Sequence, residues 1–153
     1  MTTAHRLATI DLLRTRGFDG GSEFHLAELD TSEEFWEDDG TRRALVEDQY
    51  EAEREGLAVL LTARWGPHRE LSLLPVLERS MSGESIPEPW STLACHTPDV
   101  YLWRADGRWI GLGVSQWDKE LPFQLLALAT TVDPPRPEGP EVTPARREPP
   151  PPP

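Results

Sequence analysis

Asp106-Gly107 interrupts the stretch VYLWRADGRWIGLGVSQW, Val100 to Trp117, between two apolar runs. A two-residue hairpin loop of type I′ needs positive φ at both central positions, and Asp-Gly is among the pairs that supply it. That turn dictates the register of everything beside it. Ala105 faces Arg108, Trp103 faces Ile110 and Tyr101 faces Leu112. Side chains alternate along a strand, so Tyr101, Trp103, Ile110, Leu112 and Val114 share one face, apolar enough to be buried under a helix. The other face carries Val100, Leu102, Arg104, Trp109, Gly111, Gly113, Ser115 and Trp117.

The helix to cover that hairpin is TRRALVEDQYEAEREGLAVLLTARWG. Val46, Tyr50, Leu57, Leu60 and Leu61 fall on one side at helical spacing. Thr41 is the expected cap, Arg64 suits the last turn, and Gly66-Pro67 ends the helix. Gly56, in its middle, costs up to about 1 kcal/mol relative to Ala, so close packing on the sheet is expected there. LATIDLLRTRG predicts a short N-terminal helix through Leu7, Ile10 and Leu13, stopped at Gly17. FDGGSEFHLAELD then reads as one short strand or an ordered arm. Thr31 and Glu34 have capping-box spacing, which predicts a short helical turn carrying Phe35 and Trp36 to about Asp38.

Downstream, a strand is expected around Glu70 to Leu74, then an irregular segment punctuated by Pro75, Gly83, Pro87 and Pro89. LPFQLLALATTV reads as a third antiparallel strand, Pro122 being tolerable only at its start; a helix from Phe123 to Thr130 stays open. From Asp133 onward 10 of 21 residues are proline, a composition for polyproline II and disorder. The expected architecture is α+β: one long amphipathic helix on a three- to four-stranded antiparallel sheet, with a disordered proline-rich C-terminal tail. Residues 1–40 would supply an N-terminal helix and acidic arm packing on the core, 41–132 the α+β core, and 133–153 the tail.

Charge narrows the function classes. The chain holds 27 acidic and 15 basic residues, net -12, a balance that disfavours nucleic acid and anionic membranes as partners. It favours a basic protein. Between Glu23 and Glu55 stand 13 acidic and 3 basic residues, so that segment alone carries -10. Glu33, Glu34, Glu37, Asp38, Asp39, Glu47, Glu51 and Glu55 form the candidate partner-binding face, against the plainer alternative of a solvated helix surface. No 18-residue apolar span and no secretory leader stand out, and the lone Cys95 suits a reducing compartment; a cytoplasmic location is expected. Fourteen of the 15 basic residues are Arg, which together with the many prolines looks like high-GC bacterial coding.

Catalytic and metal motifs are weak. His5, His25, His68 and His96 have no partner at ligand spacing, and EDD lacks the order of a calcium loop. Cys95-His96 has the residue types of a thiolate–imidazole pair without an elbow around it, so a buried Cys is expected. No metal, cofactor or catalytic residue is assigned. Arg104, Trp109, Gly111, Gly113 and Trp117 outline a candidate groove on the second hairpin face, because the glycines present no side chain. Either the arm with Phe24, Leu26, Phe35 and Trp36 fills it, or a ligand does.

Small, acidic and without a catalytic motif, the chain resembles in general type the immunity proteins encoded beside bacterial toxins. The resemblance implies a non-enzymatic protein neutralising a basic partner. Alternatives are a small-molecule-binding domain or enzyme using the Trp109/Trp117 face, and an acidic mimic of DNA.

Overall fold

The computed structural model describes residues 2–18 and 23–136. Its elements run α1 (Thr3–Thr15), β1 (Phe24–Thr31), α2 (Thr41–Trp65), β2 (Arg69–Ser72), α3 (Leu74–Met81), α4 (Trp90–Ala94), β3 (Asp99–Ala105), β4 (Arg108–Ser115) and β5 (Gln124–Thr130). The five strands form one antiparallel sheet in the order β1-β5-β4-β3-β2. The architecture is α+β with one long helix on the sheet. It has five strands rather than three or four, because FHLAELDT pairs with β5 as a full edge strand.

The hairpin has the expected register. Ala105 pairs with Arg108, Trp103 with Ile110 and Tyr101 with Leu112. Asp106 and Gly107 take φ of 53° and 77°, the two positive values that the turn requires. LPFQLLALATTV is a strand. As β5 it lies between β1 and β4 and runs apolar on both faces, which is why its periodicity cannot separate strand from helix.

Both faces of the sheet are covered, and each has its own core. On one face Tyr101, Trp103, Ile110, Leu112, Val114, Leu125, Ala127 and Ala129 pack with Ile10 and Leu13 of α1 and Tyr50, Leu57, Ala58 and Leu61 of α2. Trp103 is 1% exposed and donates its indole N–H to Thr62 Oγ1 at 3.3 Å. α1 is moored to the hairpin turn by Arg14 to Asp106 at 2.6 Å and by Arg108 to the Leu13 carbonyl at 2.9 Å. On the opposite face Val100, Leu102, Leu126 and Leu128 pack with Leu73, Val76, Trp90 and Leu93.

That second layer corrects the expectation of an irregular segment. Pro75 enters α3 in its first turn, where its missing N–H costs nothing. Glu88 accepts from the backbone N–H and hydroxyl of Thr92 at the start of α4.

Three local expectations also fail. Thr31 ends β1 and donates its hydroxyl to Glu28, so the Thr31–Glu34 capping box does not form; residues 32–35 are irregular and Phe35 reaches the first core. Thr41 does not cap α2. Gly40 does so with φ of 100°, and the side chains of Asp38 and Asp39 accept the free backbone N–H groups instead. Gly56 is exposed, and a Cβ added there would meet nothing within 4 Å, so it does not approach the sheet. Leu60 is 40% exposed, flanking the buried stripe.

Of the expected proline-rich tail, 133–136 lie extended against the second layer. Trp90 Nε1 donates to the Val132 carbonyl at 3.2 Å and Trp109 Nε1 to Asp133 Oδ1 at 2.9 Å. Residues 137–153 fall outside the described residues. Among the described residues no helix is long and apolar enough to cross a membrane.

Candidate functional site

The groove expected beside Gly111 and Gly113 is closed. A Cβ on Gly111 would sit 3.2 Å from Leu128 Cδ2 and 3.3 Å from Leu102 Cδ2. On Gly113 it would meet Thr97 Cγ2 at 2.9 Å and Val100 Cγ1 at 3.1 Å. These glycines admit the protein's own neighbours. The cover is the α3–α4 layer rather than the N-terminal arm, since Phe35 packs on the other face while Leu26 and Trp36 are exposed; only Phe24 reaches this side, partly buried. Trp109 is half-buried, with the Arg104 guanidinium 4.7 Å and that of Arg69 5.8 Å from its ring centroid. Trp117 lies beyond the end of β4, away from Trp109, and is 55% exposed.

An open concavity lies elsewhere, where the first turns of α2 face the β4–β5 connection. It has two lobes that share Arg43. One, about 320 Å³, is lined by Phe35, Trp36, Asp38, Asp39, Lys119 and Glu120. The other, about 150 Å³, is lined by Glu47, Glu51, His96, Val114, Gln116 and Phe123. Arg43 does not fill the passage freely. Its Nε and Nη2 both donate to Gln116 Oε1, at 3.1 and 2.8 Å, and its guanidinium lies 5.5 Å over the Phe123 ring.

His96 is among the residues lining the smaller lobe. It is 7% exposed, with Nδ1 held by Ser115 Oγ at 2.8 Å and Thr97 Oγ1 at 3.1 Å. Trp117 covers one face of the imidazole, ring centroids 4.0 Å apart. Burial pushes the His96 pKa below its ordinary value, so the ring is neutral at pH 7. Nε2 has no partner among the described residues. Ser115 and His96 have the spacing of a nucleophile and its base. Ser115 is wholly buried behind the ring, however, so the pair holds the imidazole rather than meeting a substrate. Cys95, expected to be buried, is exposed, and its thiol turns to the Ser91 carbonyl at 3.5 Å while His96 turns inward. Adjacent residues point apart.

The eight acidic candidates divide by what they do. Asp38 and Asp39 cap α2, and the backbone and hydroxyl of Thr41 hold Asp39 below the usual carboxylate range. Glu51 pairs with the buried Arg54 at 2.5 Å, yet burial pushes its pKa up. Glu55 accepts the Tyr101 hydroxyl, a contact that, after burial, helps raise that phenol to about 12. Glu33 lies 3.4 Å from Arg42 and Glu34 accepts the Trp36 indole N–H, both at the surface. Glu37 is exposed, and Glu47 has no hydrogen bond or ion pair among the described residues. The structure therefore gathers Asp38, Asp39, Glu47 and Glu51 along the cleft and leaves Glu55 one turn further along α2, against Tyr101. Among the described residues no three His, Cys, Asp or Glu side chains are placed to hold a metal ion.

The chain matches no protein-family model, no curated protein and no solved structure.

Arg43, Gln116 and Phe123 escape sequence reasoning. Arg43 and Gln116 meet across 73 residues of chain, and no local pattern marks a side chain whose role is to close a cleft between α2 and a distant loop. Trp36 has the composition of a covering arm; its neighbour Phe35 is the residue that packs inward.

Proposed function

We propose that the chain is a non-enzymatic binding protein that docks a basic protein partner on the cleft-bearing end of α2. The observation that carries this reading is the company of its exposed tryptophans. Trp36 and Trp117, 59% and 55% exposed, stand beside the two lobes whose lining includes Asp38, Asp39, Glu47, Glu51 and Glu120. Tryptophan is costly to leave in water and concentrates binding energy at interfaces, where it seats against partner Arg or Lys. Carboxylates around it steer a cationic surface by long-range attraction. The net charge of -12 makes that field one-signed at distance.

A bacterial, cytoplasmic protein of immunity type, holding a basic toxin or effector in check, fits this surface. A small-molecule slot on the Trp109/Trp117 face loses its support with the groove filled. An acidic DNA mimic is disfavoured too, because Glu51, Glu53 and Asp30 pair with Arg54 and Arg6 and break the run of free charges.

The test is capture of a basic partner from the source lysate by wild type and by the triple variant Glu34→Lys, Glu37→Lys, Glu47→Lys. Glu37 and Glu47 have no side-chain partner among the described residues, and the Glu34 carboxylate contacts only the exposed Trp36 indole. Binding should weaken and lose its salt dependence in the variant; unaltered capture of the same partner would sink the proposal.

A further inference from the structure

We infer that the second layer and the sheet beneath it form a receptor groove for peptides in which an acidic residue precedes two prolines, occupied here by the chain's own residues 132–136. The groove lies on the opposite face of the sheet from α2 and is independent of the docking reading above. Pro134 and Pro135 are buried, yet among the described residues no backbone-to-backbone hydrogen bond holds 133–136. Side chains do the holding. Trp90 Nε1 donates to the Val132 carbonyl at 3.2 Å, Trp109 Nε1 to the Asp133 carboxylate at 2.9 Å, and the Arg79 guanidinium to the Arg136 carbonyl. Proline-rich ligands are recognised in this manner. An extended chain without internal hydrogen bonds leaves its carbonyls open to indole and guanidinium donors, while apolar walls take the rings.

Two features point to a ligand rather than a fixed seam. The groove is larger than its occupant: open volumes of about 260 and 240 Å³ adjoin the proline pair, the first walled by Leu71, Pro75, Val76 and Pro135, the second by Ile86, Pro87, Pro134 and Pro135. The charge also suits an acid before the prolines. Asp133 takes the N–H of the Trp109 indole, and the guanidinium groups of Arg104 and Arg69 lie 4.7 and 5.8 Å from the centroid of that ring. A tethered ligand competes at a roughly millimolar effective concentration, so an outside peptide gains the groove when the chain's own segment is weakened.

The experiment titrates the full chain, isotopically labelled at tryptophan, with the acetylated and amidated hexapeptide of residues 131–136. Wild type is compared with the double variant Pro134→Ser, Pro135→Ser, which leaves Trp90, Trp109 and Arg79 in place. The variant should displace the indole N–H resonances of Trp90 and Trp109, and the peptide should return them toward their wild-type positions. It should bind the variant about tenfold more tightly than wild type. The same peptide with asparagine in place of aspartate should bind about tenfold more weakly. A folded variant whose indole resonances ignore the peptide overturns the groove, as does equal binding of a peptide with serine in place of both prolines. Where the variant does not fold, native-state hydrogen exchange of wild type decides. Exchange of the Trp90 indole proton through a local opening, ahead of the sheet amides, supports a displaceable ligand; exchange only with global unfolding makes 132–136 a fixed part of the core and overturns the inference.

Discussion

His96 and Trp117 stack with their ring centroids 4.0 Å apart and their planes 26° from parallel, one ring buried and the other open to water. The indole roofs the imidazole and separates it from bulk solvent on that side. The charged groups facing the ring's lobe are Arg43, Glu47 and Glu51 from α2.

A pH dependence follows. The folded protein keeps His96 neutral below the ordinary imidazole value of 6.5, whereas the unfolded chain takes up the proton there. Unfolding then binds a proton, so stability is full above pH 6.5 and falls as pH drops toward the depressed folded value. Glu51, raised by burial, acts with the opposite sign nearer its own ordinary 4.5, so the comparison is read above that range. Thermal unfolding of wild type between pH 7.5 and 5.5, about two pH units around the histidine range, should show Tm falling with acid. His96→Asn should have a lower Tm at pH 7.5 and a flatter profile; an equally steep profile would assign the dependence to other groups.

Two glycines should respond to alanine with opposite signs. At Gly113 the new methyl would stand 2.9 Å from Thr97 Cγ2 and 3.3 Å from the Asp99 carbonyl, so overpacking should destabilise by about 1–3 kcal/mol. Gly56 is helical and open on its outer side, so alanine should stabilise by up to about 1 kcal/mol. Urea denaturation midpoints of the two variants measure the difference; similar shifts in the same direction would contradict the packing described.

Asp38 replaces a conventional cap. Its carboxylate accepts from the backbone N–H groups of Gly40, Arg42 and Arg43, at 3.1, 3.2 and 2.9 Å. Asp38→Ala should cost about 1 kcal/mol in chemical denaturation, whereas Thr41→Ala should change little, since the Thr41 hydroxyl does not cap α2. The reverse ranking would restore Thr41 as the cap.

Arg54 is 4% exposed and holds α2 to the sheet. It donates to Asp99 Oδ1 at 3.0 Å and to Glu51 at 2.5 Å, with its guanidinium 4.2 Å from the Tyr101 ring centroid. Removing it leaves the partly exposed carboxylates of Glu51 and Asp99 without their cation, so Arg54→Ala should destabilise by about 1–3 kcal/mol. Arg54→Ala combined with Glu51→Gln should recover part of the loss in a double-mutant cycle, and strict additivity would show the pair to be uncoupled.

The elements governed by local chemistry are readable from sequence: Asp106-Gly107 sets a register, and Gly66 sets the end of α2. The second layer is not. LPVLERSM and WSTLA are too short, and too closely flanked by proline and glycine, for periodicity to register, yet they bury Val76, Trp90 and Leu93 on the sheet. Gly111 and Gly113 therefore look like vacancies along the chain when they are points of close approach. Glu55 looks like free surface because a hydrogen bond to Tyr101, 46 residues away, has no signature along the chain. The site is legible in outline through Glu47 and Glu51, but its inner wall is not, because His96 acquires its role only from Ser115 and Trp117 beyond it.

The outermost strand carries one further consequence. β1 pairs with β5 from Phe24 to Glu28, then slips register before Asp30, while the opposite border, β2, is four residues long and bears Arg69 and Glu70. An uninterrupted border of unpaired amides invites a neighbouring molecule to continue the ladder, and a bulge or a short charged strand denies it that template. Both borders are blunted in this way, so the fold should stay dispersed when concentrated.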